Sequence, residues 1–191
     1  MTTKLYCYVD ETGQDTQGRQ FIVGMVFIDD SRDELSETCK RIEVDTGKRN
    51  KWSDTPDAVN VAYMRGMIAL LASAEILQYA VYEGIYDYIG CAVDAIACAA
   101  LAFGHPDTFT VNVMYDALQP SDEQKVAVAL RGRGLRVSKV RGIRREQNEP
   151  LLRLADGVCG LVRDAHAGKV EHKALMQTGL SRRALVNAKA E

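Results

Sequence analysis

The chain has no long apolar run. No segment is long enough to span a bilayer, and Met1–Lys4 leads directly into a strand pattern instead of a signal-peptide core. A formal net charge of −2 excludes the global basic excess with which some proteins bind polyanions. We therefore expect a cytoplasmic protein without membrane contact, in which any contact with nucleic acid depends on a local basic patch.

Paired thiol and imidazole ligands are also missing. The five cysteines show no Cys-x-x-Cys spacing and mostly lie in apolar segments, which is typical of free thiols in a reducing compartment. The three histidines form no metal-ligand pair, and we expect each of them at the surface or in a loop.

Common phosphate-binding and nucleophile motifs do not occur. The segment Arg131–Gly134 follows a helix pattern and precedes a strand pattern, which is the reverse of the order in a phosphate-binding loop. Asp10-Glu11-Thr12 lacks the second aspartate of haloacid-dehalogenase-type phosphatases, and no Gly-x-Ser-x-Gly elbow is present.

The apolar pattern predicts one domain over residues 1–175 and a C-terminal tail over residues 176–191. The predicted order of elements is β-β-α-α-β-α-β-α-β-α, which indicates a three-layer α/β fold with a mixed five-stranded sheet flanked by helices. The strands are expected at residues 5–9, 21–28, 75–82, 109–115 and 135–143. The helix at residues 86–103 is apolar around its circumference, so it is either a covered core helix or the face of a homodimer.

Two of the predicted strands end in carboxylates. Asp10 and Glu11 follow the first strand, and Asp116 follows the fourth. Sites in open α/β sheets lie at the carboxyl ends of strands, so these acids could meet there. On the last predicted helix, Asp156 lies at the edge of the buried arc, whereas Asp164 is expected to face water.

Converging carboxylates repel one another, which raises their pKa values unless a cation intervenes. A site with oxygen ligands only suits Mg²⁺ or Mn²⁺, and two such ions can activate water and stabilise the leaving oxygen in phosphodiester cleavage. The residues alone leave a second interpretation open. In it, Asp116 begins a turn and Asp156 forms a helix-surface ion pair with Arg153 or Arg163.

Three short motifs occur in order along nearly the whole chain. They are Tyr8-Val9-Asp10-Glu11-Thr12-Gly13, Val113-Met114-Tyr115-Asp116 and Leu152-Arg153-Leu154-Ala155-Asp156-Gly157-Val158-Cys159-Gly160. Together they resemble the uncharacterised bacterial family called domain of unknown function 3800, which is similar in fold to ribonuclease H-like proteins. The resemblance implies a ribonuclease H-like nuclease, a hydrolase that cleaves RNA or DNA with Mg²⁺ or Mn²⁺.

The resemblance also implies roles for the acids. Asp10 and Asp116 would bridge the metal ions, Asp156 would hold the second ion, and Glu11 would orient water or complete a coordination shell. The chain departs from the family where Lys51-Trp52-Ser53 stands in place of a glutamate or histidine. That departure favours a second hypothesis, a non-catalytic binding or assembly module that contacts nucleic acid or a protein partner. A third hypothesis is a metal-assisted hydrolase of small phosphorylated molecules.

A basic segment contains Arg131, Arg133, Arg136, Lys139, Arg141, Arg144 and Arg145. Strand alternation predicts Arg133 and Lys139 on one side with Leu135, and Arg136 on the other. Such a segment would bind backbone phosphates non-specifically, although lysine and arginine also protect edge strands against sheet-to-sheet pairing. The side chains expected to contact nucleic acid are Arg136, Lys139, Arg141 and Lys51.

Overall fold

The computed structural model describes residues 2–16, 19–144, 147 and 149–189. In this part of the chain the strands are β1 (Thr3–Thr12), β2 (Phe21–Ile28), β3 (Leu77–Tyr82), β4 (Phe109–Asp116), β5 (Val137–Ile143) and β6 (Leu185–Asn187). The α-helices are α1 (Arg32–Thr46), α2 (Asp57–Leu70), α3 (Tyr88–Ala102), α4 (Pro120–Gly132), α5 (Pro150–His166) and α6 (Val170–Ser181). Short 3-10 turns cover Gln14–Thr16 and Trp52–Asp54.

The strands form one mixed sheet in the order β5-β4-β1-β2-β3-β6. The β1–β2 and β2–β3 pairs are antiparallel, whereas β1–β4, β4–β5 and β3–β6 are parallel. The prediction of a mixed α/β sheet is confirmed, but the count of five strands was wrong. The sixth strand, β6, has only three residues, too few for an alternating pattern to be recognised. The segment expected as a tail, residues 176–191, contains the last turns of α6 and this strand.

Helices cover both faces of the sheet, which gives three layers. All eight residues of β2 are buried because this strand has helices on both sides. Phe21, Val23 and Phe27 belong to the core beneath α3 and α4, and Ile22 and Val26 belong to the core beneath α1, α2, α5 and α6. The continuous apolar run of β2 is therefore the sequence of a strand that is buried on both faces.

The parallel pairing of β1 and β4 places two strand ends next to each other. Val9 is in register with Tyr115, so the following residues, Asp10 and Asp116, lie side by side near one edge of the sheet. The prediction that the first strand ends before Asp10 was wrong, because β1 continues to Thr12 through its pairing with β2. Strand alternation directs both carboxylates towards the layer that contains α5, because Tyr8 contributes to the core on that side.

Helix α5 packs directly on the centre of the sheet. A Cβ atom at Gly24 of β2 would lie 2.6 Å from the Ala155 carbonyl oxygen and 2.7 Å from the Cys159 Sγ atom. Only glycine permits this approach, which brings the α5 face with Asp156 to the ends of β1 and β4. None of the helices within the described residues is long and apolar enough to cross a membrane.

Candidate active site

Asp10 is a buried carboxylate in the central strand β1, two positions before its end. Asp10 is only 7% exposed, and its Oδ1 atom accepts a hydrogen bond of 2.8 Å from the Glu11 backbone N–H. Burial, and then the charge of Asp156, raise the pKa of Asp10 well above its ordinary value, while Lys51 acts in the opposite direction. A carboxylate in this position needs a cation to remain ionised.

Lys51 supplies a positive charge between the two strand ends. Its Nζ atom donates a hydrogen bond to Asp116 Oδ2 and lies 4.0 Å from Asp10 Oδ2. Burial alone would lower the pKa of Lys51, but the charge of Asp10 and the hydrogen bond to Asp116 raise it above its ordinary value. The ammonium group therefore occupies the space where two neighbouring carboxylates require a counter-cation.

Asp156 of α5 is the third acid of the site. Its Oδ2 accepts a hydrogen bond of 2.7 Å from the Trp52 backbone N–H. Burial raises the pKa of Asp156, although the Trp52 N–H and the charges of Lys48 and Lys51 partly offset this effect. Asp10, Asp116 and Asp156 line one cavity of about 190 Å³ together with Arg49, Asn50, Lys51, Ile143, Arg144, Glu149, Leu152 and Arg153.

The alternative interpretation placed Asp156 in a surface ion pair with Arg153 or Arg163, but both arginines contact other acids. Arg153 makes a bidentate contact with Glu43 at 2.7 Å, and Arg163 bonds to Asp164 at 3.2 Å. Asp156 faces the sheet edge instead, as the position of this residue on α5 predicted.

Glu11 lies at the rim of the cluster. Alternation along β1 turns its side chain to the opposite side from Asp10, where one oxygen accepts a hydrogen bond from Gln14. The other oxygen is buried and makes no hydrogen bond to any described residue. Burial and the charge of Asp116 raise the pKa of Glu11 to about 7.

Trp52 connects the loop of Lys51 to α5 through both of its N–H groups. Besides the backbone bond to Asp156, the indole Nε1 donates to Asp164 Oδ2 at 3.0 Å. The expectation that Asp164 faces water was wrong, since this residue is only 5% exposed. The helical pattern of α5 alone could not show that Trp52 and Lys169 cover this side of the helix.

A second group of ligand-type side chains lies on the far side of Trp52. One ligand atom each of Asp57, Asp164 and His172 lies within 4.8 Å of the others. The Lys169 amine already contacts Asp164 at 3.0 Å and Asp57 at 2.9 Å, so a lysine supplies the cation there. The expectation of a surface position was wrong for His172, which is buried in α6, a helix that the sequence did not predict.

The basic segment is divided by the structure. Arg136 pairs with Asp107 at 2.7 Å, whereas Lys139 and Arg141 are exposed on β5, and Arg145 lies outside the described residues. The prediction that Lys139 and Leu135 lie on the same side of the strand was wrong. A β-bulge shifts the register between Val111 and Asn112 of β4, so the simple alternation does not continue through the strand.

Comparison with known proteins identifies the fold. Neither a protein-family model nor a curated protein sequence matches the chain. The ribonuclease H2 of Pyrococcus horikoshii OT3 is similar in structure over 89% of this chain and 77% of that chain, with 16% sequence identity and a TM-score of 0.52. The chain has a ribonuclease H-like fold.

A second solved structure with detectable similarity is Bst-RNase HIII in complex with Mn²⁺. The match covers 96% of this chain and 63% of that chain, with 13% identity and a TM-score of 0.41. At such identities the likeness concerns the ribonuclease H-like fold alone, and no family model confirms the resemblance to domain of unknown function 3800. Within this fold, the chain places Asp10 near the end of β1 and Asp116 at the end of the adjacent parallel strand β4.

Proposed function

We propose that the chain is a Mg²⁺- or Mn²⁺-dependent phosphodiesterase of ribonuclease H-like type that acts on RNA or DNA. The observation that carries the proposal is the arrangement of Asp10, Asp116 and Asp156 around one cavity, with the Lys51 amine between the first two. Acids gathered in this way are costly to bury without a cation, and a hard divalent ion offsets more of that cost than one ammonium group can.

The residues present fit such an ion. The acids of the cavity offer oxygen ligands only, which suit a hard divalent ion. Burial raises the pKa values of Asp10 and Asp156, so a bound cation would favour their ionised forms. Asp10 and Asp116 would be the shared ligands, and Asp156 would hold a second ion. Glu11 points away from Asp10, so its unpartnered oxygen would act at the rim of the site, by orienting water. When bound, the ions would activate a water molecule and stabilise the leaving oxygen of the phosphodiester.

The cations of the cavity would bind the phosphate itself. Arg49, Lys51 and Arg144 line the cavity together with the acids, so a phosphodiester in the cavity would lie among positive charges. We infer that Lys51 exchanges its hydrogen bond to Asp116 for one to a non-bridging phosphate oxygen. This exchange would orient the scissile bond and leave Asp116 available as a ligand.

A second function, a non-catalytic binding or assembly module, is favoured by one observation. The Lys51 amine already pairs with Asp116 and approaches Asp10, so part of the negative charge of the acids is balanced without any metal. A chain that had lost metal-dependent activity could keep its fold through this internal ion pair.

Metal titration and cleavage distinguish the two functions. Mn²⁺ should release or absorb heat and raise the melting temperature of the wild-type protein, and Asp10→Asn should abolish both responses. Glu37→Gln is the matched control, since Glu37 forms an exposed ion pair with Lys40 on α1 and should leave the responses unchanged. Equal responses of the wild-type and Asp10→Asn proteins would overturn the metal site.

Labelled single- and double-stranded RNA and DNA should then be cleaved in Mn²⁺ by the wild-type and Glu37→Gln proteins but not by Asp10→Asn. Metal binding without cleavage of any strand would favour the binding module. Hydrolysis of a small phosphoester alone would favour the hydrolase of small phosphorylated molecules.

A further inference from the structure

One face of the sheet is left open near the edge formed by β5. On this side α5 packs chiefly against β1 and β2. The side chains of β4 alternate between buried positions beneath α3 and α4 and partly exposed positions on the opposite side. The partly exposed set consists of Thr110, Asn112, Met114 and Asp116. We call the surface formed by Tyr6, Asn112, Met114, Lys139 and Arg141 the open face.

Two cations of β5 lie on the open face because of the β-bulge. Lys139 is in register with Asn112, and Arg141 with Met114, so each cation points to the same side as its partner. Val137 is in register with Val111 and belongs to the opposite core, and the extra residue Ser138 reverses the alternation after it. Without that residue, Lys139 would point into the core beneath α4.

The open face leads directly to the acids. The same register places Ile143 beside Asp116 at the carboxyl end of the two strands. Alternate residues of a strand are roughly 6.6 Å apart, so Arg141 and then Lys139 follow one another away from the cavity at regular steps. A polyanion that extends from the cavity along β5 would meet these two cations in turn.

Other cations of the basic segment are engaged elsewhere. Arg133 pairs with Asp94, and Arg136 pairs with Asp107. Lys139 and Arg141 form no ion pair with any residue in the described part of the chain, and both are exposed. The Arg32 guanidinium lies beside this surface, 4.3 Å from the ring centroid of Tyr6, and pairs with Asp33 at 3.2 Å.

We propose that the open face binds a single-stranded segment of a nucleic acid that leads into the acid cavity. Lys139 and Arg141 contact successive backbone phosphates, and Tyr6, Asn112 and Met114 contact the bases. Charge complementarity selects a polyanion, and flat aromatic, amide and thioether surfaces suit bases that are not hidden in a duplex. The inference rests on the proposed function in one respect, since the strand continues into the cavity where cleavage would occur.

The test is binding of fluorescent oligonucleotides, measured by anisotropy in the presence of a chelator so that no cleavage takes place. Single-stranded DNA, single-stranded RNA and the DNA duplex of the same sequence are titrated with the full chain at several salt concentrations. Lys139→Gln/Arg141→Gln is compared with Lys125→Gln/Arg182→Gln. The control pair removes equal charge from exposed positions on α4 and at the end of α6.

We expect the open-face variant to bind single strands at least tenfold more weakly than the wild-type protein, and the control variant to bind as the wild type does. The slope of log affinity against log salt should become shallower by about 1.4, since each lost phosphate contact on a single strand is worth about 0.7. The RNA and DNA strands report which sugar the surface prefers.

Wild-type affinity of the open-face variant, or tighter binding of the duplex than of either strand, overturns the inference. Self-association of the variant with unchanged affinity for oligonucleotides also overturns the inference. That result would mean that the two cations protect the edge strand against pairing with another sheet. These measurements contain no metal, so they remain separate from the proposed function. Loss of cleavage in Asp10→Asn with normal strand binding concerns the cavity alone.

Discussion

The indole ring of Trp52 lies against the bare backbone of Gly160 on α5. A Cβ atom at Gly160 would lie 2.2 Å from the Cγ and Cδ2 atoms of the ring, and Trp52 itself is buried. The ring can approach the helix this closely only because the residue beneath it has no side chain. Since Lys51 immediately precedes Trp52, this contact fixes the position of the lysine between the acids.

Substitution of this glycine should therefore disturb both stability and the site. We expect Gly160→Ala to lower the free energy of unfolding by about 1–3 kcal/mol, because the rigid ring must move. Gly157→Ala is the control on the same helix, since its Cβ would meet the flexible Met64 Sδ atom at 2.8 Å and alanine favours the helix. Urea denaturation followed by the fluorescence of the single tryptophan measures both variants. Equal stability of the two variants would contradict the role of the contact.

Removal of the Lys51 charge should make the stability of the protein depend more strongly on a bound metal ion. Without metal, we expect Lys51→Met to lower the free energy of unfolding by about 1.5–3 kcal/mol, because Asp116 loses its charged hydrogen-bond donor. In Mn²⁺ the variant should be stabilised more than the wild-type protein, since no amine then competes for the carboxylates.

Arg133→Met provides the comparison for Lys51, because its guanidinium pairs with Asp94, away from both groups of acids. It should lose stability without any change in the response to Mn²⁺, measured as the metal-induced shift in melting temperature. The idea fails if Lys51→Met and the wild-type protein respond alike.

Most of the order of elements along the chain, and the positions of the acids in β1 and β4, were predictable from the sequence because both depend on local patterns. Alternation marks β1 and β4, and carboxylates that directly follow buried strands are unusual enough to be noticed. The position of Asp156 on α5 followed from helical periodicity. These signals require no knowledge of how distant segments pack.

The roles of Lys51, Trp52 and Asp164 could not be predicted because they depend on contacts between segments far apart in the chain. A polar loop with a tryptophan has no periodicity that reveals where it packs. The bulge at Ser138 is equally invisible, since one extra residue in a strand of ordinary composition leaves no mark in the sequence.

Asp164 should stabilise the fold only when it is ionised. Burial alone would raise the pKa of Asp164, but the Trp52 indole, Lys169 and Arg163 outweigh it and hold the pKa below its ordinary value. A lowered carboxyl pKa contributes stability above the unfolded value of about 3.9, and this contribution is lost as the pH falls through the folded value. Asp164→Asn should therefore be less stable than the wild-type protein by about 1.5–3 kcal/mol at neutral pH. In urea denaturation the difference should shrink in acid, and a constant difference would contradict this assignment.

Glu11 should have the opposite dependence on pH. Its pKa is raised to about 7 by burial and by Asp116, against about 4.3 in an unfolded chain. The folded protein therefore holds this proton more firmly, so the contribution of Glu11 to stability is fully present below about pH 4.3 and is lost as the pH rises through about 7.

Without metal, the free energy of unfolding of the wild-type protein should fall relative to that of Glu11→Gln over this range, as measured by urea denaturation in a chelating buffer. Gln14→Ala, which removes the hydrogen-bond partner of Glu11 but no titrating group, should follow the wild-type curve in shape. Parallel curves for the wild-type and Glu11→Gln proteins would show that this carboxyl group has an ordinary pKa. Metal ligands must be deprotonated, and the proposed ligands Asp10 and Asp156 have raised pKa values, so the stabilisation by Mn²⁺ should increase as the pH rises.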